Sequence, residues 1–328
     1  MSEYLMPQRP RRNRKSAAIR SAISETQVSV NNLLFPLFVL DGQNKKEEIT
    51  SMPGIYRFSE ELILAEIEAC LKLGVNMFAL FPAVDDSLKD KTATYSYARD
   101  NFYCRTIRNV KARFPEAMIL TDVAMDPYSS DGHDGLVRDG KILNDETLPI
   151  LGNMALAQAE AGADIIGPSD MMDGRVGYIR NVLDENGFTD VSIMSYTAKY
   201  ASGFYGPFRD ALSSAPKFGD KKTYQMDYAN VKEALLEAEL DEDEGADFLM
   251  VKPALAYLDV IKALADSSHL PIAAYQVSGE YAMVKAAAEK GWLNEEKIVE
   301  ETLTAIKRAG ASIILTYFAR QFAERRAR

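Results

Sequence analysis

The sequence predicts an α/β barrel of eight parallel strands, and three observations lead there. Strand-length apolar runs alternate with helix-length segments of 3.6-residue periodicity along the 328 residues. Successive strand–helix–strand units require crossover connections, which make a parallel sheet. Eight strands, each followed by a helix, is the count of a TIM (β/α)8 barrel, whose active sites lie at the C-terminal ends of the strands. A doubly wound open sheet is the competing architecture, but no Gly-rich dinucleotide turn follows the first strand.

Residues 1–30 read as a polar arm and residues 31–328 as one barrel domain. The run Leu33-Leu-Phe-Pro-Leu-Phe-Val-Leu40 is continuously apolar, as in a strand buried on both faces, and forms β1. Ser59 is placed to cap a helix over 60–73, in which Leu62, Ile63, Ile67, Cys70 and Leu71 recur at helical spacing before Gly74 stops it. Strand β2 follows at 76–82. A helix around 99–113 leads to β3 at 118–125, and a helix from 147 to Gly162 leads to β4 at 164–169. A helix over 177–185 precedes β5 at 192–198, closed by Lys199. The stretch 203–225 carries glycines, prolines, Arg209, Lys217, Lys221 and Lys222; a barrel-top loop of that length points to function. A helix over 227–243 precedes β6 at 248–251, closed by Lys252. Then come a helix at 257–266, β7 at 271–278, helices at 281–290 and 294–308, β8 at 312–317 and a closing helix.

Composition narrows the function classes. A net charge of −10 makes the body a poor nucleic-acid binder, although Arg9, Arg11, Arg12, Arg14, Lys15 and Arg20 crowd the arm. That arm suits nucleic acid, a disordered tail or an acidic neighbouring subunit, and the last complements the body. No apolar run approaches the ~18 residues of a membrane span, and the basic N-terminus lacks an apolar signal core, so a cytoplasmic protein is expected. The two cysteines, Cys70 and Cys104, form no CxxC pair, which argues against a disulfide framework or a thiolate zinc site.

The strand-end residues carry the chemistry. They are Asp122 and Asp126 at β3, Ser169 and Asp170 at β4, Lys199 at β5, Lys252 at β6, Tyr275 and Ser278 at β7, and Tyr317 at β8. A single strand-end lysine ordinarily keeps its ammonium in water. Two on adjacent strands, sharing a water-poor pocket, disfavour each other's charge and yield neutral amines able to form Schiff bases with ketones.

The stretches Thr121-Asp-Val-Ala-Met-Asp-Pro-Tyr128, Gly132-His-Asp-Gly135, Pro168-Ser-Asp-Met-Met-Asp-Gly-Arg175, Ser195-Tyr-Thr-Ala-Lys-Tyr-Ala-Ser202, Gly206-Pro-Phe-Arg-Asp210, Met250-Val-Lys-Pro253 and Val277-Ser-Gly-Glu280 resemble, in order, the porphobilinogen synthase (5-aminolevulinate dehydratase) family. The resemblance implies condensation of two 5-aminolevulinate molecules to porphobilinogen with loss of two waters, in tetrapyrrole biosynthesis. It implies that Lys252 binds the propionate-side substrate as a Schiff base and that Lys199 engages the acetate-side one. Ser278 and Tyr317 match hydroxyls holding one substrate carboxylate, with Tyr275 counted in the same substrate-binding set. Arg209, Lys221 and Gln225 match lid residues holding the other carboxylate, and Asp122 and Ser169 match residues around the acetate-side amine.

Zinc-dependent relatives place three cysteines where this chain has Ala124, Asp126 and Asp134, so no thiolate zinc site is expected. The two carboxylates suit a hard cation such as Mg2+ or metal-free acid/base work, and both alternatives stay open. His133 is expected to hydrogen-bond within its loop. Glu237 matches a glutamate for allosteric Mg2+, with Asp170 and Arg175 in its outer shell; the alternative is a solvated carboxylate in the acidic stretch 233–244. The resemblance also implies a homo-octamer in which the arm wraps a neighbouring barrel. A class I Schiff-base aldolase, needing one lysine, and an inactive barrel binding RNA or a partner are the competing functions.

Overall fold

The computed structural model describes residues 6–212, 214 and 216–327; residues 1–5 of the expected arm lie outside them. Its barrel strands are β1 Leu33–Leu40, β2 Met77–Ala83, β3 Met118–Val123, β4 Ile165–Pro168, β5 Ser192–Lys199, β6 Phe248–Lys252, β7 Ile272–Gln276 and β8 Ile313–Thr316. They pair in chain order, and β8 returns to β1 through Leu33↔Ile314 and Leu34↔Leu315, closing a parallel barrel. All eight residues of β1 are buried, because its sides are paired and its faces covered.

Several boundaries move for local reasons. The helix expected from 99 spans Phe102–Arg113, since Asn101 caps it by accepting from the Cys104 N–H at 2.7 Å. The helix expected from 227 spans Lys232–Asp243, and the one expected near 177 starts at Arg175. Strands β3 and β7 stop at Val123 and Gln276. Asp126 therefore lies in a loop, and Ser278 opens the helix Ser278–Glu289. Ser59 does occupy the cap position, but its hydroxyl accepts from the Lys45 N–H at 3.0 Å and donates to Glu61 at 2.9 Å instead of capping.

Two short strand pairs decorate the loops beyond β1 and β3. Lys46–Glu48 pairs antiparallel with Tyr56–Phe58, which pairs parallel beside the end of β1, and Leu136–Arg138 pairs with Lys141–Leu143. Cys70 and Cys104 are free and buried, and burial pushes their thiols up to about 12 and about 11, so neither is a ready nucleophile. In the arm, Pro10–Arg14 and Ala17–Ala22 form short helices with no buried residue. No helix among the described residues is long and apolar enough to cross a membrane.

Candidate active site

Register brings the two lysines together. Ser195 pairs with Leu249 but Ala198 pairs with Val251, so β5 carries one extra residue at Tyr196–Thr197. Unbulged, β5 would set Ala198 opposite Lys252; with the bulge, Lys199 takes that place. Register partners in a parallel pair project to the same side, so both amines face one cavity.

Their surroundings differ. Lys199 donates to the Ser169 carbonyl and stands 3.7 Å from Asp134 Oδ2. Lys252 forms no ion pair among the described residues; its Nζ lies 4.7, 4.9, 5.0 and 5.3 Å from the ring centroids of Tyr275, Phe208, Tyr196 and Tyr205. Burial first, and the Lys199 charge second, pull the Lys252 amine down to about 7. The surrounding ring faces also favour any cation formed there, which suits an iminium as well as an ammonium. Of these rings only Tyr275 is a strand-end residue. Tyr196 is hidden by the bulge, and Tyr205 and Phe208 sit in the long loop, where periodicity marks nothing.

Carboxylates converge from β3 and its loop. Asp122 accepts from Ser169 Oγ at 2.7 Å, and burial raises its carboxyl above the usual range. Lys221 bridges Asp126 at 3.3 Å and Asp134 at 2.9 Å. Burial and then the Asp134 charge push Asp126 up to about 7. Burial acts upward on Asp134 too, but Lys221 and Lys199 outweigh it and hold this carboxyl below the usual range. Asp126 and Asp134 thus form an unequal pair in which Asp134 carries the charge. His133 fastens the same loop to the lid, its ring nitrogens 3.1 Å from Tyr224 Oη and 3.0 Å from the Phe218 carbonyl, which is the hydrogen-bonding part expected of it.

The expected carboxylate anchors fall into two groups. Ser278 Oγ is fully buried, accepts from the Phe208 N–H at 3.0 Å and donates to the Phe204 carbonyl at 3.4 Å. Tyr317 shares a 2.8 Å hydrogen bond with Tyr275 and stacks on Phe38. In the lid, Lys221 is occupied by the two aspartates, Gln225 Oε1 is buried without a donor among the described residues, and Arg209 sits half-buried on the helix Gly206–Leu212. Arg57, from the strand beside β1, donates to the carbonyls of Ala211 at 2.5 Å and Asp210 at 2.6 Å, steadying the end of that helix.

Glu237, Asp170 and Arg175 form a second cluster behind β5. Arg175 lies 3.9 Å from Asp170 and 3.4 Å from Asp241, and donates to Ser195 Oγ at 3.0 Å. Asp241 accepts from Ser195 Oγ at 2.6 Å, so it is not part of a solvated acidic face. The spacing Ala234, Ala238, Asp241 marks the buried side of its helix and is the signal that reveals it. Glu237 is half-buried, accepts no hydrogen bond among the described residues, and lines a cavity of about 720 Å3 with Glu233 and Asp173. Burial raises its carboxyl to about 7 against the pull of Arg175. Among the described residues no three His, Cys, Asp or Glu side chains gather as a metal-ligand set. One unpartnered carboxylate in a roomy cavity nevertheless fits Mg2+, which keeps most of its waters.

The delta-aminolevulinic acid dehydratase family model matches residues 7–325. A chloroplastic delta-aminolevulinic acid dehydratase of Hordeum vulgare is 58% identical over 318 residues, covering 96% of this chain and 74% of its own. The delta-aminolevulinic acid dehydratase of Chlamydia pneumoniae is 54% identical over 319 residues, covering 97% of this chain and 96% of its own. The crystal structure of the Toxoplasma gondii enzyme in complex with its reaction product porphobilinogen superposes with a TM-score of 0.96 at 52% identity, covering 97% of this chain and 91% of that one. With its closed parallel barrel and paired strand-end lysines, the chain belongs to the delta-aminolevulinic acid dehydratase (porphobilinogen synthase) family.

Proposed function

We propose that Lys252 is the Schiff-base nucleophile for one 5-aminolevulinate and Lys199 the amine that engages the second. The enzyme condenses two 5-aminolevulinate molecules to porphobilinogen with loss of two waters, in tetrapyrrole synthesis. The observation that carries the assignment is the asymmetry of the amines: Lys252 makes no ion pair among the described residues and is walled by aromatic rings, with burial and the Lys199 charge outweighing the pull of Asp122, Asp126 and Asp134, whereas Lys199 faces Asp134 directly. A neutral Lys252 adds its lone pair to the substrate ketone carbon, the carbonyl oxygen leaves as water with one proton from the amine and one taken up from solvent, and the resulting iminium acidifies the adjacent carbon. The lid's position over the mouth supports a part in excluding water, because the Phe208 ring packs edge-on against Phe81 at 5.2 Å.

Ser278 and Tyr317 hold the carboxylate of the Lys252-bound substrate in this proposal. Arg209, Lys221 and Gln225 hold that of the other, Lys221 exchanging its aspartate partners for substrate. Asp122 and Ser169 receive the second substrate's amine, and Tyr275 packs beside the first. Asp126 and Asp134 act as a proton-sharing pair, since each already faces an ammonium. Glu237 would hold Mg2+, with Asp170 and Arg175 behind it, and the ion would supply positive charge to offset the carboxylates there. One lysine would serve an aldolase, and family membership sets aside both that alternative and the inactive barrel. The arm docks on a neighbouring subunit of an octamer, a reading supported by the absence of buried residues in its two short helices, Pro10–Arg14 and Ala17–Ala22. Borohydride trapping with 5-aminolevulinate, followed by peptide mapping, is expected to give adducts at Lys252 and Lys199. Adducts confined to other lysines would overturn the assignment.

A further inference from the structure

The segment Ser278-Gly279-Glu280 ties β7 to β6 through one carboxylate. Glu280 is 2% exposed and accepts three backbone N–H groups: Val277 at 2.7 Å, Leu255 at 2.6 Å and Ala254 at 3.5 Å. Val277 precedes its own helix, whereas Ala254 and Leu255 belong to the turn directly after Lys252-Pro253. No cation pairs with Glu280 among the described residues; the peptide dipoles favour its charge, while burial, the larger influence, pushes the carboxyl up to about 7, and the hydrogen bonds fix its place in either state. Two further contacts stiffen the joint. A Cβ on Gly279 would stand 2.5 Å from the Phe204 carbonyl, so the segment lies flush against the start of the lid. Tyr205 Oη donates to the Lys252 carbonyl at 3.0 Å, holding the nucleophile's backbone from the other side.

The carboxylate therefore links the backbone that carries Lys252 to the backbone that carries Ser278. The proposed function puts these two residues on the ketone and the carboxylate of one substrate, and the inference rests on that assignment. We propose that Glu280 is a positioning residue that sets the separation of Lys252 and Ser278, and with it the number of carbons accepted between ketone and carboxylate. Substrate length is then read by a strap that touches no substrate atom. A keto acid longer by one methylene would need the β6 turn to move away from the β7 helix, and the strap resists that.

The test uses borohydride trapping at Lys252 of two amine-free keto acids, 4-oxopentanoate and 5-oxohexanoate, which differ by that methylene. Wild-type enzyme is expected to trap the shorter acid faster, and Glu280→Gln to lower the short-to-long rate ratio about tenfold, on the scale of one methylene in a fitted pocket. Gln keeps the size and one acceptor oxygen, so it carries the test if Glu280→Ala fails to fold. An unchanged ratio in Glu280→Gln, with both rates reduced alike, would show a merely structural residue and overturn the strap. Failure of wild-type enzyme to trap either acid at Lys252 would instead remove the Schiff-base assignment and the strap's role with it.

Discussion

Lys252 and Lys199 carry the same side chain and differ in what surrounds it. Asp134 compensates the Lys199 charge, and Asp134 in turn shares Lys221 with Asp126. Among the described residues no carboxylate pairs with Lys252, and burial and the Lys199 charge, outweighing the more distant Asp122, Asp126 and Asp134, depress its amine to about 7. The sign follows directly: below about pH 7 this amine is protonated and cannot attack a carbonyl, and above it the lone pair is free. The borohydride-trapped adduct at Lys252 should accordingly form faster as pH rises through about 7 and level off by about two units higher. Stopped trapping at graded pH measures this. A rise centred near 10.5, the value of an unperturbed lysine, would mean that the pocket leaves the nucleophile charged and that activation comes only with substrate bound.

At the scale of elements, β5 decides how much of the site was legible in advance. Its existence and its closing lysine followed from the apolar run, but the pairing of Lys199 with Lys252 depends on the bulge at Tyr196–Thr197. A bulge is set by how neighbouring strands close the barrel, so no local periodicity announces it. The lid escaped for a related reason. Its positive charges were visible, whereas the partners of its Lys221 and Tyr224, Asp134 and His133, come from the β3 loop roughly ninety residues away in the chain. Capping chemistry escaped as well: Ser59 takes the expected cap position but its hydroxyl turns to Lys45, whereas Asn101, which the periodicity did not mark, caps the helix Phe102–Arg113. Behind β5, Arg175 and Asp241 join the helix Lys232–Asp243 to Ser195, four residues before Lys199. An ion on Glu237 would add charge to that joint, so Mg2+ should raise both activity and the thermal midpoint, and Glu237→Ala should lose both responses. Calorimetry with and without Mg2+ separates binding from turnover; an intact midpoint shift in Glu237→Ala would move the ion to another site.

Across the whole molecule, charge is divided unevenly. The chain carries −10 overall, yet Arg9, Arg11, Arg12, Arg14, Lys15 and Arg20 lie in one short stretch, and none of them forms an ion pair among the described residues. The polar contacts Arg12 and Arg20 make are to backbone carbonyls within the arm itself. A basic segment that buries nothing on its own barrel gains by meeting the acidic surface of another copy, and exposed charges at such a contact are screened within about 3 Å at ~1 M salt. Removing residues 1–20 should therefore lower the mass measured by light scattering, and raising the salt should shift the full-length protein the same way. The two arms of the experiment separate causes: a deletion that dissociates the assembly while salt does not would assign the hold to apolar contact of the arm. An unchanged mass in the deletion would leave the barrel faces to assemble alone, and the exposed Leu236 and Leu240, one turn apart on the helix Lys232–Asp243, would then be the surface to alter next.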